Sequence, residues 1–223
     1  ILSSFILVGM NSITNNANIA KSKAFIDSID NALLLNRVSY WKLDENSSNQ
    51  TFDAWGTNTC TITNATLTSS SCINNSCFNF NGSDSNIDCG NNSSLSMGTN
   101  DHTVSFWIKL NDETAADTET YIFCGGIVGI SSGYWIRRTN ASSILYLCFN
   151  NGSETRIGGN LSGSEALISN NWYNIVVTFD RDYLAQSYIN TIKTGYSLDI
   201  STRPGNIQNT YNLQLGGYTS SYT

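Results

Sequence analysis

Carboxylates and histidine are the residues that would first point to catalysis, and their spacing does not favour it. Glycoside hydrolysis needs two carboxyl groups directed at one bond, which a strand supplies from alternate positions. Asp44 and Glu45 are adjacent, so they would point to opposite faces of a strand, and Asp180 and Asp182 are predicted in a turn. His102 is the only histidine and gives little scope for a catalytic triad. The sequence therefore predicts a protein that is not an enzyme.

The cysteines favour disulfides in an oxidising compartment. The chain has six, with no CxxC pair and no histidine at ligand spacing, so a zinc site is not indicated. The alternative is that some are buried thiols of a cytosolic protein. Six cysteines allow fifteen pairings, which the sequence does not distinguish; we favour Cys124 bonded to Cys148, with the other four closing loops among themselves. Those four are Cys60, Cys72, Cys77 and Cys89.

The charge of the chain argues against nucleic acid as a partner. The formal net charge is −6 at pH 7, and only 13% of the residues are charged. A protein that neutralises phosphates needs a basic stripe, and the sequence has none. With 40% hydrophobic and 11% aromatic residues, the chain can instead fill a core.

The N-terminal segment is predicted to be one long helix over residues 1–37. Residues 1–10 are almost wholly apolar but too few to span a bilayer. An amphipathic pattern follows, without proline or glycine, to about Asn36. Because the chain opens inside the apolar run, we expect this run to continue upstream. The apolar residues assigned to the helix core are Ile1, Leu2, Phe5, Ile6, Val8, Ile13, Ile19, Ile26, Ile29 and Leu33.

The apolar period changes from 3.6 to 2 after Val38. Short alternating segments such as Val104-Phe106-Ile108 and Ile175-Val177-Phe179 are separated by polar turn clusters. Many short strands with such punctuation predict a mainly β fold, an antiparallel sandwich or jelly roll, over residues 38–223.

Six segments in this region resemble the laminin-G-like, concanavalin A-like jelly-roll superfamily. In chain order they begin with the YWKLDE run and end with the LQLGG run. The segments are 40–45, 77–87, 103–109, 171–180, 187–190 and 213–217. A further strand usually follows the Gly-Gly step in this family, so we expect a C-terminal truncation.

The resemblance implies one kind of ligand, and the aromatic residues suggest a second. Members of the superfamily often bind one Ca²⁺, for which Asp84, Asp88 and Asp180 are candidates, although Asx turns are the alternative. No other cofactor is required. Exposed aromatic rings could stack on a sugar, and the alternative is that they fill the core. The candidates are Tyr134, Trp135, Tyr146 and Tyr218.

The N-terminal segment resembles the long helix of type IV pilins and type II secretion pseudopilins. The resemblance is carried by residues 1–10 and 20–33. It implies a bacterial, cell-surface filament built from copies of the chain, which reside in the membrane before assembly. The apolar helices would pack in the filament core. The β-sandwich that follows each helix, which we call the head, would be displayed for surface contact or adhesion. This hypothesis requires that the helix does not fold back onto the chain's own sheets.

A second hypothesis is a membrane-anchored or secreted adhesin that binds carbohydrate and does not polymerise. Here residues 1–10 are a plain anchor or the tail of a signal peptide. Both hypotheses place the protein outside the cell, with surface glycans among its partners. Frequent Asn-x-Ser/Thr sequons, such as Asn64 and Asn74, indicate exposed loops and leave glycosylation open.

Overall fold

The chain folds as a two-sheet β-sandwich with one long helix. The computed structural model describes residues 2–45, 49–111, 120–124, 132–139, 144–152, 157–160, 167–208 and 210–217. Side chains are described in these ranges except for residues 2–12, 120–124, 139 and 144. Over this part of the chain, no helix combines the length and the apolar character needed to cross a membrane.

The predicted N-terminal helix is confirmed. Helix α1 covers Leu2–Ala32, a span of about 46 Å. A single 3₁₀ turn, Leu34–Asn36, follows it. Just beyond this turn, the guanidinium of Arg37 pairs with the carboxylate of Asp30 at 2.9 Å. A cation near the C-terminal end of a helix also complements the helix dipole.

The region after the helix forms fourteen described strands, which pair antiparallel. They are β1 Gln50–Thr51, β2 Cys60–Thr63, β3 Thr66–Thr68, β4 Cys77–Asn79, β5 Asn86–Asp88, β6 His102–Lys109, β7 Thr120–Cys124, β8 Gly133–Thr139, β9 Ile144–Asn150, β10 Ile157–Asn160, β11 Trp172–Phe179, β12 Leu184–Ile189, β13 Ile192–Asp199 and β14 Gln214–Leu215.

The strands build two layers and a small hairpin. The larger sheet has the order β1-β2-β5-β14-β7-β8-β9-β10, the smaller has the order β13-β12-β11-β6, and β3 pairs with β4. Alternate residues of β9 and β11 meet between the layers, where they are fully buried. These are Leu145, Leu147, Phe149, Ile175, Val177 and Phe179. The predicted mainly β sandwich is therefore confirmed.

Two disulfides form among the four cysteines that we expected to pair with one another. Cys60 in β2 is bonded to Cys89, the residue after β5, and so joins neighbouring strands. Cys72 and Cys77 close a five-residue loop before β4. The Cys72–Cys77 loop is short, so this bond holds structure that is already local, whereas the Cys60–Cys89 bond closes a loop with a sequence separation of 29.

The predicted bond between Cys124 and Cys148 is wrong. Trp135 of β8 lies opposite Cys124 of β7 on one side and opposite Cys148 of β9 on the other. Two strand spacings therefore separate the cysteines, about 10 Å. A disulfide needs Cα atoms within about 7 Å, so the sheet register excludes this bond.

The second half of α1 packs against the outer face of the smaller sheet. Ser22 is fully buried, and the ring of Phe25 lies 6.5 Å from the ring of Tyr188 in β12. The Nζ atom of Lys23 donates to the carbonyl of Ile73 at 3.0 Å and to Oδ1 of Asn74 at 3.3 Å. These contacts anchor the helix to the sheet and to the Cys72–Cys77 loop.

The filament hypothesis requires that the helix does not pack on the β-sandwich of its own chain. The second half of α1 does not meet that requirement. Ile19, Ile26 and Ile29 are half-buried, whereas Ile13 is 69% exposed and Leu33 is also exposed. The side chains of Ile1, Leu2, Phe5, Ile6 and Val8 lie outside the described part, so their assignment to a filament core stays a prediction.

The His102 ring is largely buried against aromatic residues of the sandwich core. Its ring stacks on Phe179 with centroids 4.3 Å apart, and Tyr134 lies 5.3 Å away. Nδ1 is 3.0 Å from the carbonyl of Asn100, whereas Nε2 is buried and has no hydrogen-bond partner among the described residues. Burial, and secondarily the positive charge of Arg181, lower the pKa of His102 to about 4.

The docking of the helix predicts unequal effects of two substitutions on one helix. Phe25→Ala removes the contact with Tyr188 and should lower the free energy of unfolding by about 1–2 kcal/mol. Ile13→Ala, at an exposed position, should change it by less than about 0.5 kcal/mol. Urea denaturation of both variants measures this, and equal effects would contradict the packing described.

The burial of His102 predicts a loss of stability in acid. The unfolded chain binds a proton at the His102 ring near pH 6.5, but the folded chain does so only near its pKa of about 4. Unfolding therefore becomes easier as the pH falls from 6.5 to 4, by roughly 3 kcal/mol in total. In His102→Phe this pH window should lose most of its slope, as measured by urea denaturation at pH 7, 5.5 and 4. An unchanged slope would show that other groups cause it.

Candidate functional site

Two of the four aromatic residues predicted to bind sugar, Tyr134 and Trp135, lie in the interior instead. Tyr134 is 6% exposed and packs into the core between the sheets. Trp135 points to the opposite face of β8 and is 0% exposed, beside Cys148. Tyr146 is half-buried under the guanidinium of Arg137, 5.1 Å away. The prediction is wrong for Tyr134 and Trp135 because both faces of this strand are covered. Tyr218 lies outside the described residues.

The carboxylates proposed for Ca²⁺ accept hydrogen bonds from within the protein. Asp84 accepts from the side-chain amides of Asn81 at 2.7 Å and Asn64 at 2.8 Å, which lower its pKa. Asp88 accepts from the backbone N–H of Gly90 at 2.8 Å, an Asx turn.

Asp180 forms a similar turn, since it accepts from the N–H of Asp182 at 3.3 Å. Among the residues that the structure describes, no three His, Cys, Asp or Glu side chains come together at a possible metal site. Asx turns, the alternative for these residues, account for Asp88 and Asp180. Ca²⁺ binding stays a prediction.

A different set of aromatic side chains is exposed. Tyr40 is 39%, Phe52 55% and Trp55 47% exposed. The guanidinium carbon of Arg37 lies 5.5 Å from the ring centroid of Tyr40 and 4.9 Å from that of Trp55. We refer to Arg37, Tyr40 and Trp55, together with Phe52, the residue before Asp53, as the aromatic platform. Contiguous exposed apolar surface is one sign of a binding site.

The carboxylate of Asp53 holds the platform in place. Its Oδ1 atom accepts from the backbone N–H groups of Tyr40 at 2.9 Å, Trp55 at 3.0 Å and Gly56 at 2.8 Å. Its Oδ2 atom accepts from the N–H of Asn58 at 3.2 Å. One side chain therefore fixes the backbone under two of the three rings, although Tyr40 and Trp55 come from different segments of the chain.

These hydrogen bonds also stabilise the charge on Asp53. Partial burial raises its pKa, but the donors, led by the N–H groups of Tyr40, Gly56 and Trp55 and joined by the Ser39 side chain, lower the pKa to about 2. A carboxylate that accepts several N–H bonds is a strong acceptor and stays ionised. The arrangement is therefore intact across the physiological pH range.

Asn58 ties the same loop to the interior. It is buried, and its carbonyl accepts from the indole N–H of Trp41 at 2.6 Å. Its side-chain amide donates to Ser39 Oγ at 2.7 Å and accepts from Ser94 Oγ at 3.0 Å. The platform consequently rests on a loop whose polar groups are paired, which limits the entropy lost when a ligand binds.

Two residues of the platform line a large cleft. The cleft has a volume of about 1820 Å³, and its lining includes β6, the edge strand of the smaller sheet. Arg37 and Tyr40 of the platform line it together with Phe78, Phe80 and Phe106.

The platform could have been noticed in the sequence through its turn chemistry. Asp53-Ala54-Trp55-Gly56 has Asp at the first and Gly at the fourth position, the pattern of a type I turn with an Asx bond. Such a turn exposes its central residues, of which Trp55 is one. The contribution of Tyr40 depends on pairing across the chain, through the Trp41–Asp53 bridge, and has no local signal.

The hydrogen bonds that converge on Asp53 predict that a side chain at position 56 is not tolerated. A Cβ atom at Gly56 would lie 2.6 Å from Asp53 Oδ2 and 2.7 Å from the carbonyl of Val38. Gly56→Ala should therefore lower the free energy of unfolding by about 1–3 kcal/mol and shift the Trp fluorescence. Gly195→Ala, which meets open space, is the control and should change neither by much. Equal changes in the free energy of unfolding and in Trp fluorescence for the two variants would contradict the packing of Gly56 against Asp53.

Comparison with known proteins identifies the family. The family model of the concanavalin A-like lectin/glucanases superfamily, laminin-G type, matches residues 81–222, which is more than half of the chain. The platform lies before this range. No curated protein matches the chain.

Several solved structures share the fold. The binding domain of Paraclostridial Mosquitocidal Protein 1 has a TM-score of 0.64 at 18% identity, covering 80% of this chain and 43% of that one. The binding domain of Botulinum neurotoxin serotype D has a TM-score of 0.59 at 20% identity, and the match covers 77% of this chain and 41% of that one. The binding domain of serotype G has a TM-score of 0.57 at 19% identity, and the match covers 80% of this chain and 42% of that one. The chain spans less than half of each. By its family match, it belongs to the concanavalin A-like lectin/glucanases superfamily.

Proposed function

We propose that this chain is an extracellular, non-catalytic binding module that attaches to surface glycans through the aromatic platform. The observation that carries the proposal is the exposure of the Tyr40 and Trp55 rings on a backbone held by Asp53. Aromatic rings supply a flat apolar surface against which the C–H face of a sugar ring can pack. Rings that are already fixed bind with a smaller loss of entropy.

The relatives support a binding role. The three solved structures compared above are binding domains of toxins, and the family name includes lectins. The name also includes glucanases, which need a carboxylate pair. Asp180 and Asp182, which have the sequence spacing for such a pair, lie in a turn in which one accepts the N–H of the other. This arrangement favours binding over hydrolysis.

The disulfides support an extracellular location. The Cys60–Cys89 and Cys72–Cys77 bonds persist in oxidising compartments and are rare in reducing ones. A surface-binding module would have its ligands in the same compartment. Bacterial origin is a further expectation from the sequence and adds nothing to the binding argument.

Assembly into a filament, the other function predicted from the sequence, receives less support. The helix segment around Ser22 and Phe25 already packs on β11 and β12 of its own chain. Copies could therefore use only the preceding part of the helix. The binding proposal does not depend on whether the chain polymerises.

The platform predicts a specific loss of glycan binding. On a glycan array, the chain should bind a subset of surface glycans, and Trp55→Ala should weaken that binding by at least about 10-fold because a central anchor is removed. Tyr183→Ala is the matched control, since Tyr183 is an exposed aromatic in the β11–β12 turn. Thermal denaturation checks that both variants are folded. No binding to any glycan, or equal binding by Trp55→Ala and the parent, would contradict the proposal.

A further inference from the structure

We infer that the aromatic platform selects uncharged sugars and discriminates against sugars that carry a carboxylate or a sulfate. This inference rests on the proposed glycan binding and adds the class of ligand. It follows from the charges placed around the rings, which are mostly negative.

Carboxylates surround Tyr40 from both the helix and the strand side. Asp53 lies under its backbone N–H at 2.9 Å, and Asp30 reaches the site through its ion pair with Arg37. The pKa of the Tyr40 hydroxyl is raised by burial and then by the negative charges of Asp30, Asp44 and Asp27, although the positive charge of Arg37 acts in the opposite direction. These carboxylates are therefore close enough for their field to act where a ligand would lie.

The cation of the platform is already engaged. The Nη2 atom of Arg37 is 2.9 Å from Asp30 Oδ1, and its guanidinium lies against the rings of Tyr40 and Trp55. Its side chain is only 18% exposed. An acidic sugar would have to compete with Asp30 for this group. Arg37 thus orders the rings and does not offer an open anion site.

The balance of charge stays negative when the neighbouring lysine is included. Lys42 is exposed two residues beyond Tyr40, so the local cations are Arg37 and Lys42. The five carboxylates, Asp27, Asp30, Asp44, Glu45 and Asp53, outnumber them by three. The whole chain carries −6, so no wider positive field compensates.

The consequence is a repulsion that acts on acidic sugars alone. Stacking on the rings contributes similarly for a neutral sugar and for the same sugar with an added carboxylate. Each exposed carboxylate within about 6–10 Å should weaken binding of the anion on the order of 2- to 3-fold at low salt. Salt should remove this difference, because the screening length falls to about 4 Å at 0.5 M.

The test compares a neutral oligosaccharide with the same oligosaccharide carrying a terminal sialic acid. Calorimetric titration of the full chain at 20 mM and 500 mM NaCl should show the neutral form binding at least about 5-fold tighter at low salt and less than about 2-fold tighter at high salt. Asp27→Asn combined with Asp44→Asn should reduce the low-salt preference. These two residues are chosen because, among the described contacts, the side chain of neither one forms a hydrogen bond or an ion pair. Asp182→Asn, in the β11–β12 turn, is the control.

The outcomes separate this inference from the proposed function. Equal or tighter binding of the sialylated form overturns the inference and leaves glycan binding in place. A preference that neither salt nor the double variant changes also overturns it, since charge would not be the cause. If neither oligosaccharide binds and the glycan array is also blank, the proposed function itself fails.

Discussion

The carboxylate of Asp53 is the interaction on which the candidate site depends. It receives backbone N–H groups from Tyr40 and from residues 55, 56 and 58, and so joins the segment that leaves the helix to the loop before β2. Backbone groups at a surface loop would otherwise be satisfied by water and leave the rings mobile. Because one ionised side chain satisfies four of them, the rings are presented in a fixed arrangement.

The rest of the molecule supplies a support for this loop. The core between the two sheets fixes β6 and β11, and the Cys60–Cys89 bond fixes the strand that follows the loop. The helix closes one face of the smaller sheet through Phe25, and Arg37 at its end reaches both Asp30 and the rings. The docked helix thus positions Arg37, which follows it in the chain, beside the rings of the proposed binding surface.

The sequence predicted the architecture well because the two-residue period and turn clusters are local signals. It also located the helix and grouped four cysteines correctly. It failed on Tyr134 and Trp135 because burial of both faces of β8 depends on neighbouring strands, and on Cys124 and Cys148 because strand order inserts β8 between them. The platform was missed since Tyr40 and Trp55 are brought together by long-range pairing through Asp53.

The central claim is that the Asp53 carboxylate orders the platform in solution. The most direct measurement is an NMR pH titration of its carboxyl carbon. The account predicts a pKa of about 2, because the backbone donors stabilise the ionised form more than partial burial disfavours it. A pKa close to the ordinary value of 3.8 would contradict the account, since it would mean that the N–H groups of Tyr40, Trp55 and Gly56 do not converge on this side chain.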